Sequence, residues 1–269
     1  MRLCTFRDGA GSRLGRVEND VVLPLAGASV LDAIESAPGP SAGPPTPLGE
    51  VELLAPLRPP KVIGVGHNYR AHAEEIGIEP PGEPRLFAKL ASSIVAPGGP
   101  IVHPDWTSEL DYEGELAVVI GRRVRNISSE DALAAVFGYA VIDDVSARDL
   151  QRTEGNWVRA KGGDTFGPFG PWITTADEVP DPQALTIRTW VNGEQRQEGR
   201  TADMIFSVAE LIEFCSRHFT LEPGDVIATG TPSGVGTWRD PPVHLAPGDV
   251  VRIEIDSLGV IHHEVVAPT

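Results

Sequence analysis

The chain has 269 residues, 41% of them hydrophobic, enough to close a well-buried core in one large domain with at most a small appendage. Its 38 acidic against 22 basic residues leave a formal net charge of -16, which argues against a broad basic surface for nucleic acid or an anionic membrane. Two cysteines, Cys4 and Cys215, form neither a C-x-x-C motif nor a disulfide framework, and no apolar run has the length of a membrane span or the pattern of a signal peptide, so a reducing cytoplasm is the expected setting.

In chain order, residues 1–36 read as short strands with turns and one short helix, and residues 37–47 are rich in Pro, Gly and Ser, the composition of a linker. A small N-terminal module with its linker is expected over residues 1–56, and a main domain over residues 57–269. The main domain carries strand patterns at residues 61–65, 115–120, 139–143, 186–191, 225–229, 249–256 and 260–266, with Asn192-Gly193 and Leu258-Gly259 as tight turns. Three helices interrupt them. The first starts at the capping residue Asn68 and ends at Gly77; the second runs from Ser128 to Phe137 and stops at Gly138; the third opens on the capping box Ser207-Val-Ala-Glu210 and reaches about His218. Cys215 falls in the apolar part of that third helix and reads as a small buried hydrophobe rather than a nucleophile. The fold class is α+β, predominantly β.

Glu113 and Glu115 lie two residues apart in Asp111-Tyr-Glu-Gly-Glu-Leu-Ala-Val-Val-Ile-Gly121, and Asp144 closes the run Tyr139-Ala-Val-Ile-Asp-Asp144. Side chains alternate across a strand, so the two glutamates share a face and repel each other unless a positive charge lies between them. A bare E-x-E also suits the wet face of an antiparallel strand. Here the unbroken apolar run at 116–120 marks a strand covered on both faces, where acids need partners, and the metal reading is favoured. Oxygen-only ligands select a hard ion, Mg²⁺ or Mn²⁺, over zinc.

His72 and Glu75, at i and i+3 of the first helix, form either an acid–base dyad or an ordinary exposed ion pair, and the sequence by itself favours the ion pair. Lys161, in the turn-rich loop Arg159-Ala-Lys-Gly-Gly-Asp-Thr-Phe-Gly-Pro-Phe-Gly-Pro171, is either a solvated lysine or an anion clamp. Gly230-Thr-Pro-Ser-Gly-Val-Gly236 follows a strand and offers backbone N–H groups and the Thr231 hydroxyl to an oxyanion, without the G-K-[ST] ending of a P-loop. His262 and His263 fall on opposite faces of one strand, so core or surface roles are expected rather than a shared metal.

Together these segments resemble the fumarylacetoacetate hydrolase family. The likeness runs from Val62 through Val235. It is carried most specifically by Glu113-Gly-Glu-Leu-Ala-Val-Val-Ile-Gly, Asp144-Val-Ser-Ala-Arg-Asp-Leu-Gln151, Lys161-x-x-Asp-Thr-Phe and Gly230-Thr-Pro-Ser-Gly-Val-Gly. The resemblance implies a mixed β-roll or barrel-like sandwich, commonly a homodimer. It implies Glu113, Glu115 and Asp144 as ligands of Mg²⁺ or Mn²⁺, and His72 with Glu75 as a water-activating dyad on a mobile lid. Lys161 and Gln151 match substrate-facing catalytic positions, and Lys89, Arg148 and Thr231 match positions around the substrate carboxylate. Three departures stand out: His67 where the family more often has an apolar residue, Asp143 where Asn usually precedes the metal-binding Asp, and Gly162-Gly163 in place of a bulkier pair.

The activity so implied is cleavage of a carbon–carbon bond in a small anionic 2-oxo acid, an acylpyruvate or other β-diketo acid, through a metal-bound enolate whose charge Lys161 helps to hold. The same enolate serves decarboxylation of oxaloacetate or isomerisation of an unsaturated 2-oxo dioic acid, and the sequence does not separate these. A non-catalytic binding protein that uses the cation structurally is the alternative of a different class. Nucleic-acid binding has neither a basic stripe nor an aromatic-interleaved motif in its favour.

Overall fold

The computed structural model describes residues 1–9 and 11–268. Strand Gly114–Ile120 is its axis, pairing antiparallel with Val136–Asp143 on one side and Val226–Ala228 on the other. The sheet continues one way through Gly167–Thr175, Arg2–Asp8, Gly11–Glu18, Val21–Pro24 and Thr46–Pro47, and the other way through Val62–Gly66 and Arg85–Lys89. Glu52–Leu54 and Ile94–Val95 pair onto it off this path and bring it to twelve strands. A five-stranded sheet, in the order Glu194–Arg200, Thr186–Val191, Val250–Ile255, Gly259–Val266 and Ile101–Val102, packs against it. The fold is thus mostly β, with mixed sheets. Among the described residues no helix is long and apolar enough to cross a membrane.

Strand alternation divides the core in two. Leu116, Val118, Ile120, Tyr139 and Val141 join Ile187, Val251, Ile253 and Ile261 of the five-stranded sheet. Ala117, Val119, Ala140 and Ile142 face the other way and pack with Leu3, Leu14, Val30, Ile34 and Phe169. Both faces of the axial strand are therefore covered, and Leu116 through Ile120 are fully buried, as an unbroken apolar run requires. At the strand's beginning Gly114 is paired with Asp143 and belongs to the first face: a Cβ on it would lie 2.4 Å from Thr189 Oγ1 and 3.0 Å from Ile253. Glu113, Glu115 and Asp144 consequently share the second face.

Several elements follow the sequence closely. Thr186–Val191 has the expected bounds, and Asn192 and Gly193, with φ of 52° and 80°, turn it into Glu194–Arg200. Ser207 and Glu210 form a reciprocal capping box on helix Val208–His218. Burial pushes the Cys215 thiol up to about 12.

Two expectations change. The helix expected over residues 128–137 is a single turn, Ser129–Ala132, followed by the 3-10 turn Leu133–Ala135, after which Val136 already opens a strand. Gly138 is not a helix stop. A Cβ there would lie 2.3 Å from the Thr174 carbonyl oxygen, so the close approach of two strands demands the glycine. The stretch 159–171 is not all loop either: after the short helix Val158–Lys161, the nine-residue strand Gly167–Thr175 pairs with both Arg2–Asp8 and Val136–Asp143. The N-terminal strands are thereby hydrogen-bonded edge to edge with the central sheet.

The site helix is Arg70–Glu75, with Tyr69 rather than Asn68 at its N-cap. Asn68 is fully buried and acts as a stitch: its carboxamide donates to the carbonyls of Thr229 at 2.8 Å and Phe206 at 3.0 Å and accepts from the Phe206 N–H at 2.8 Å. One side chain so fastens the site helix to two neighbouring segments. Asn68→Ala strands these backbone groups and is expected to lower the unfolding free energy by about 3 kcal/mol. Ser207→Ala, which removes one exposed cap, should cost only about 1 kcal/mol. Urea denaturation of both variants checks the order; equal losses would show that Asn68 is not a stitch.

Candidate active site

The first coil after Val62–Gly66, the Arg70–Glu75 helix, the start of Gly114–Ile120 and the segment from Arg148 to Lys161 meet around one cavity of about 240 Å³. Its floor is a buried charge cluster. Glu113 accepts from Arg148 Nη1 at 2.6 Å and from Lys161 Nζ at 2.7 Å, and Lys161 also donates to Asp144 at 2.6 Å. Arg148 is held in turn by Asp111 at 2.8 Å. Asp111 closes the ring by accepting from the backbone N–H groups of Gly236 and Thr237.

Glu115 differs from its neighbours. Its Oε2 accepts the Gly230 N–H at 2.8 Å, and among the described residues it makes no direct ion pair, feeling the Lys161 charge only at longer range. Burial, then the Asp144 and Glu113 carboxylates, push its carboxyl well above the usual range. Glu113 goes the other way: burial raises it, but Lys161 and Arg148 outweigh burial and hold it low. Oxygens of Glu113, Glu115 and Asp144 lie within 4.8 Å of one another. Three buried carboxylates at that spacing, one without a direct ion pair, fit a hard divalent cation; the set contains no nitrogen or sulfur for a softer one.

His72, which lines the same cavity, is buried, and its Nδ1 lies 2.8 Å from Glu75 Oε2. Glu75 is itself anchored, through Oε1, by the Gly234 N–H at 2.8 Å. The pair is therefore braced, with His72 buried on the cavity lining and Glu75 half-buried behind it, rather than the exposed ion pair that the sequence alone favours.

The structure brings Glu113, Glu115, His72, Lys161, Arg148, Gln151 and Thr231 to one cavity wall, with Asp144 beneath Lys161. Gln151 accepts from Arg148 Nη1 at 2.9 Å. Thr231 lines the cavity, but its hydroxyl donates to the Gly114 carbonyl and accepts from Gln197, so it is spent within the protein rather than offered to an oxyanion. Lys89 does not reach the cavity wall: its ammonium is 2.6 Å from Asp144 Oδ1 and also donates to the carbonyls of Lys161 and Val145. Its place is behind Asp144, not against a substrate.

Asp143 and His263 were not legible as a pair. Asp143 accepts the Glu113 N–H at 2.9 Å through Oδ1 and faces His263 Nε2 at 2.9 Å through Oδ2, while His262 is exposed on the opposite face of its strand. The i, i+1 alternation at residues 143–144 and 262–263 was the available signal; the register between the strands was not. The glycines of the 230–236 loop were visible, but their targets, the Glu115 and Glu75 carboxylates, required the fold.

Residues 61–266 match the family described as fumarylacetoacetate (FAA) hydrolase C-terminal, and residues 1–56 match one described as Rv2993c-like, N-terminal. The mitochondrial oxaloacetate tautomerase FAHD2A of Homo sapiens is 49% identical over 226 residues, 83% of this chain and 72% of that protein. A fumarylacetoacetate hydrolase from Exiguobacterium antarcticum has a TM-score of 0.92 at 42% identity. A maleylpyruvate hydrolase from Sphingobium sp. SYK-6, solved with manganese(II) and pyruvate, has a TM-score of 0.83 at 35% identity; both solved structures are covered along their whole length and cover all of this chain.

A carboxyl raised by folding contributes stability that is full below its unfolded value, near 4.5, and is lost as pH rises through its folded value. The cation-free protein should therefore weaken on that account as pH rises above the unfolded value. Glu115→Gln should flatten the loss and leave the cation-free melting temperature equal or higher at neutral pH, while the rise in melting temperature on adding Mn²⁺ disappears. Thermal unfolding with and without Mn²⁺ reads both effects. A variant stabilised by Mn²⁺ as much as the wild type would remove Glu115 from the ligand set.

Proposed function

The chain belongs to the fumarylacetoacetate hydrolase family, and we propose that it is a divalent-metal-dependent enzyme that interconverts the keto and enol forms of a small 2-oxo acid of the oxaloacetate type. The observation that carries this reading is the convergence of two devices on one small cavity: His72, held by Glu75, and the Glu113 and Glu115 carboxylates, which with Asp144 fit a cation. The 49% identity to a relative named an oxaloacetate tautomerase supports the choice of reaction.

A cation held by Glu113, Glu115 and Asp144 would polarise the 2-oxo carbonyl and offset charge on its oxygen. The remaining work falls to the chain. The Nδ1–Glu75 contact assigns the proton of neutral His72 to Nδ1 and leaves Nε2 as the base. Nε2 takes a proton from C3 of the substrate, the C–H electron pair becomes the C2–C3 double bond, and negative charge moves to the C2 oxygen. Return of the proton to that oxygen gives the enol; return to C3 restores the ketone. Glu75 stabilises the imidazolium between these steps, and the Lys161 ammonium, kept charged because Asp144 and Glu113 outweigh its burial, faces the developing charge. Arg148 Nη2 is buried without a partner among the described residues, a donor available to the substrate carboxylate.

A second reading, hydrolysis of an acylpyruvate, is favoured by the full-length likeness to a maleylpyruvate hydrolase. It uses the same groups. His72 takes a proton from water, the resulting hydroxide adds to the distal carbonyl, and the adjacent carbon–carbon bond breaks to release a carboxylic acid and the pyruvate enolate, which is then protonated.

His72→Gln should lower turnover by about 10²- to 10⁴-fold and leave Mn²⁺ affinity unchanged. Deuterium exchange at C3 of oxaloacetate, followed by NMR, reads proton transfer, and consumption of an acylpyruvate reads hydrolysis. Catalysed exchange without acylpyruvate loss supports the tautomerase; acylpyruvate loss without catalysed oxaloacetate exchange supports the hydrolase. A Mn²⁺-loaded wild type that does neither overturns both.

A further inference from the structure

His67 lines the same cavity in a left-handed backbone conformation, φ 58°, which a non-glycine residue adopts rarely. That conformation sets its ring edge-on to Trp157, at 5.7 Å between centroids, and 6.2 Å from the ring of His72. His72 has a carboxylate partner; His67 has none. Among the described residues neither nitrogen of His67 is hydrogen-bonded to the protein. The neighbouring wall is formed by Ile76, Ile78 and Trp157, and the Arg152 guanidinium near it is committed to Glu109 at 2.6 and 2.7 Å.

The charged floor accounts for the 2-oxo acid end of a substrate, and His72 for its C3. On that placement the group one carbon further on would come beside the ring next to His72, which is His67, 6.2 Å away between centroids. We propose that His67 is a specificity-determining residue, whose N–H hydrogen-bonds the distal carboxylate of a four-carbon 2-oxo dicarboxylic acid. This deepens the function proposed above and rests on it for the direction in which the substrate lies.

The electrostatics of the site agree with a neutral donor. Burial, then the neighbouring charges of His72, Arg85 and Lys161, bring His67 down to about 4, with Glu113 pulling the other way. A neutral imidazole keeps one N–H and one lone pair, so it gives direction and a hydrogen bond without a second full charge beside Lys161 and Arg148. A site built around such a donor discriminates against the analogue lacking the acceptor, because the buried polar group is then left unpaired.

The test uses malate and 2-hydroxybutyrate, which share a chain length and a 2-hydroxy acid end but differ in the distal carboxylate, bound to the Mn²⁺-loaded full chain and measured by calorimetry. The wild type should prefer malate by about tenfold or more. His67→Gly, which relieves the positive φ and removes the ring, should abolish most of that preference by weakening malate alone. His67→Asn, which tolerates the same backbone and keeps an N–H donor, should restore part of it. The assignment is overturned if the wild type shows no preference, if His67→Gly keeps it, or if His67→Gly weakens both ligands equally. Deuterium exchange at C3 of oxaloacetate and of 2-oxobutanoate is measured in parallel. Binding discrimination lost in His67→Gly, in a wild type that enolises neither acid, supports the assignment and overturns the tautomerase; catalysed exchange without the binding pattern does the reverse.

Discussion

Everything at this site depends on the burial of like charges at one end of one strand. Asp111, Glu113, Glu115 and Asp144 are all removed from water, and Lys89, Arg148 and Lys161 are buried among them. Such clusters are a poor source of stability, since desolvation of each ion offsets much of the attraction that follows, and a packed apolar cluster of equal volume serves a fold as well or better. Their presence is explained by what they do. Three of the acids converge within 4.8 Å of one another, and Glu115 alone among them makes no direct ion pair. The negative charge is least compensated at the point where a hard cation would fit.

The fold isolates that incompleteness from the core by strand periodicity. Successive residues of the axial strand and its neighbour look into different compartments, so Gly114 and Asp143 meet Thr189 and His263 of the five-stranded sheet while Glu113 and Glu115 meet the cavity, with Asp144 covered by Lys161. Asp143 joins the two compartments, because its carboxylate fixes the backbone N–H of Glu113 from behind. Gly114 is required by one face and separates two functional acids on the other. A site built on paired strands in this way inherits their rigidity, whereas the dyad that opposes it rides on a helix of six residues and is braced instead by Asn68 and the Gly234 N–H.

Much of this was written locally in the chain. Alternation in Glu113-Gly-Glu115, the apolar run after it and the i, i+3 spacing of His72 and Glu75 all survive in the structure, because each depends on the geometry of one element. What could not be read depends on two elements at once. Whether His72–Glu75 is exposed or buried is decided by the loop from Gly230, 155 or more residues away in the chain, and Lys89 and Lys161 differ only in what surrounds them. The strand Gly167–Thr175 was hidden for a related reason: its glycines accommodate the approach of Ser93 and Pro97, so residues that ordinarily punctuate loops here admit close packing.

The two buried lysines define the division of labour. Burial lowers both, yet Lys89 ends below its ordinary value and Lys161 above it. Lys161 lies between Glu113 and Asp144; Lys89 pairs directly with Asp144 only, is helped at longer range by Asp143, and feels the repulsion of Lys161. The first is therefore held as a permanent cation at the cavity floor, able to meet negative charge as it forms, and the second serves as a hydrogen-bonding prop for Asp144 and for the backbone of Lys161 itself. Neither lysine is suited to carry a proton to and from carbon, the first because it is too well stabilised as the cation and the second because it does not reach the cavity. In the proposed reaction proton transfer would fall to the imidazoles that line the cavity, and of these only His72 has a hydrogen-bonded carboxylate to stabilise the charge it would gain. The carboxylates and Lys161 would there hold charge while His72 would move the proton, a division suited to an enolate whether the bond broken to make it is carbon–hydrogen or carbon–carbon.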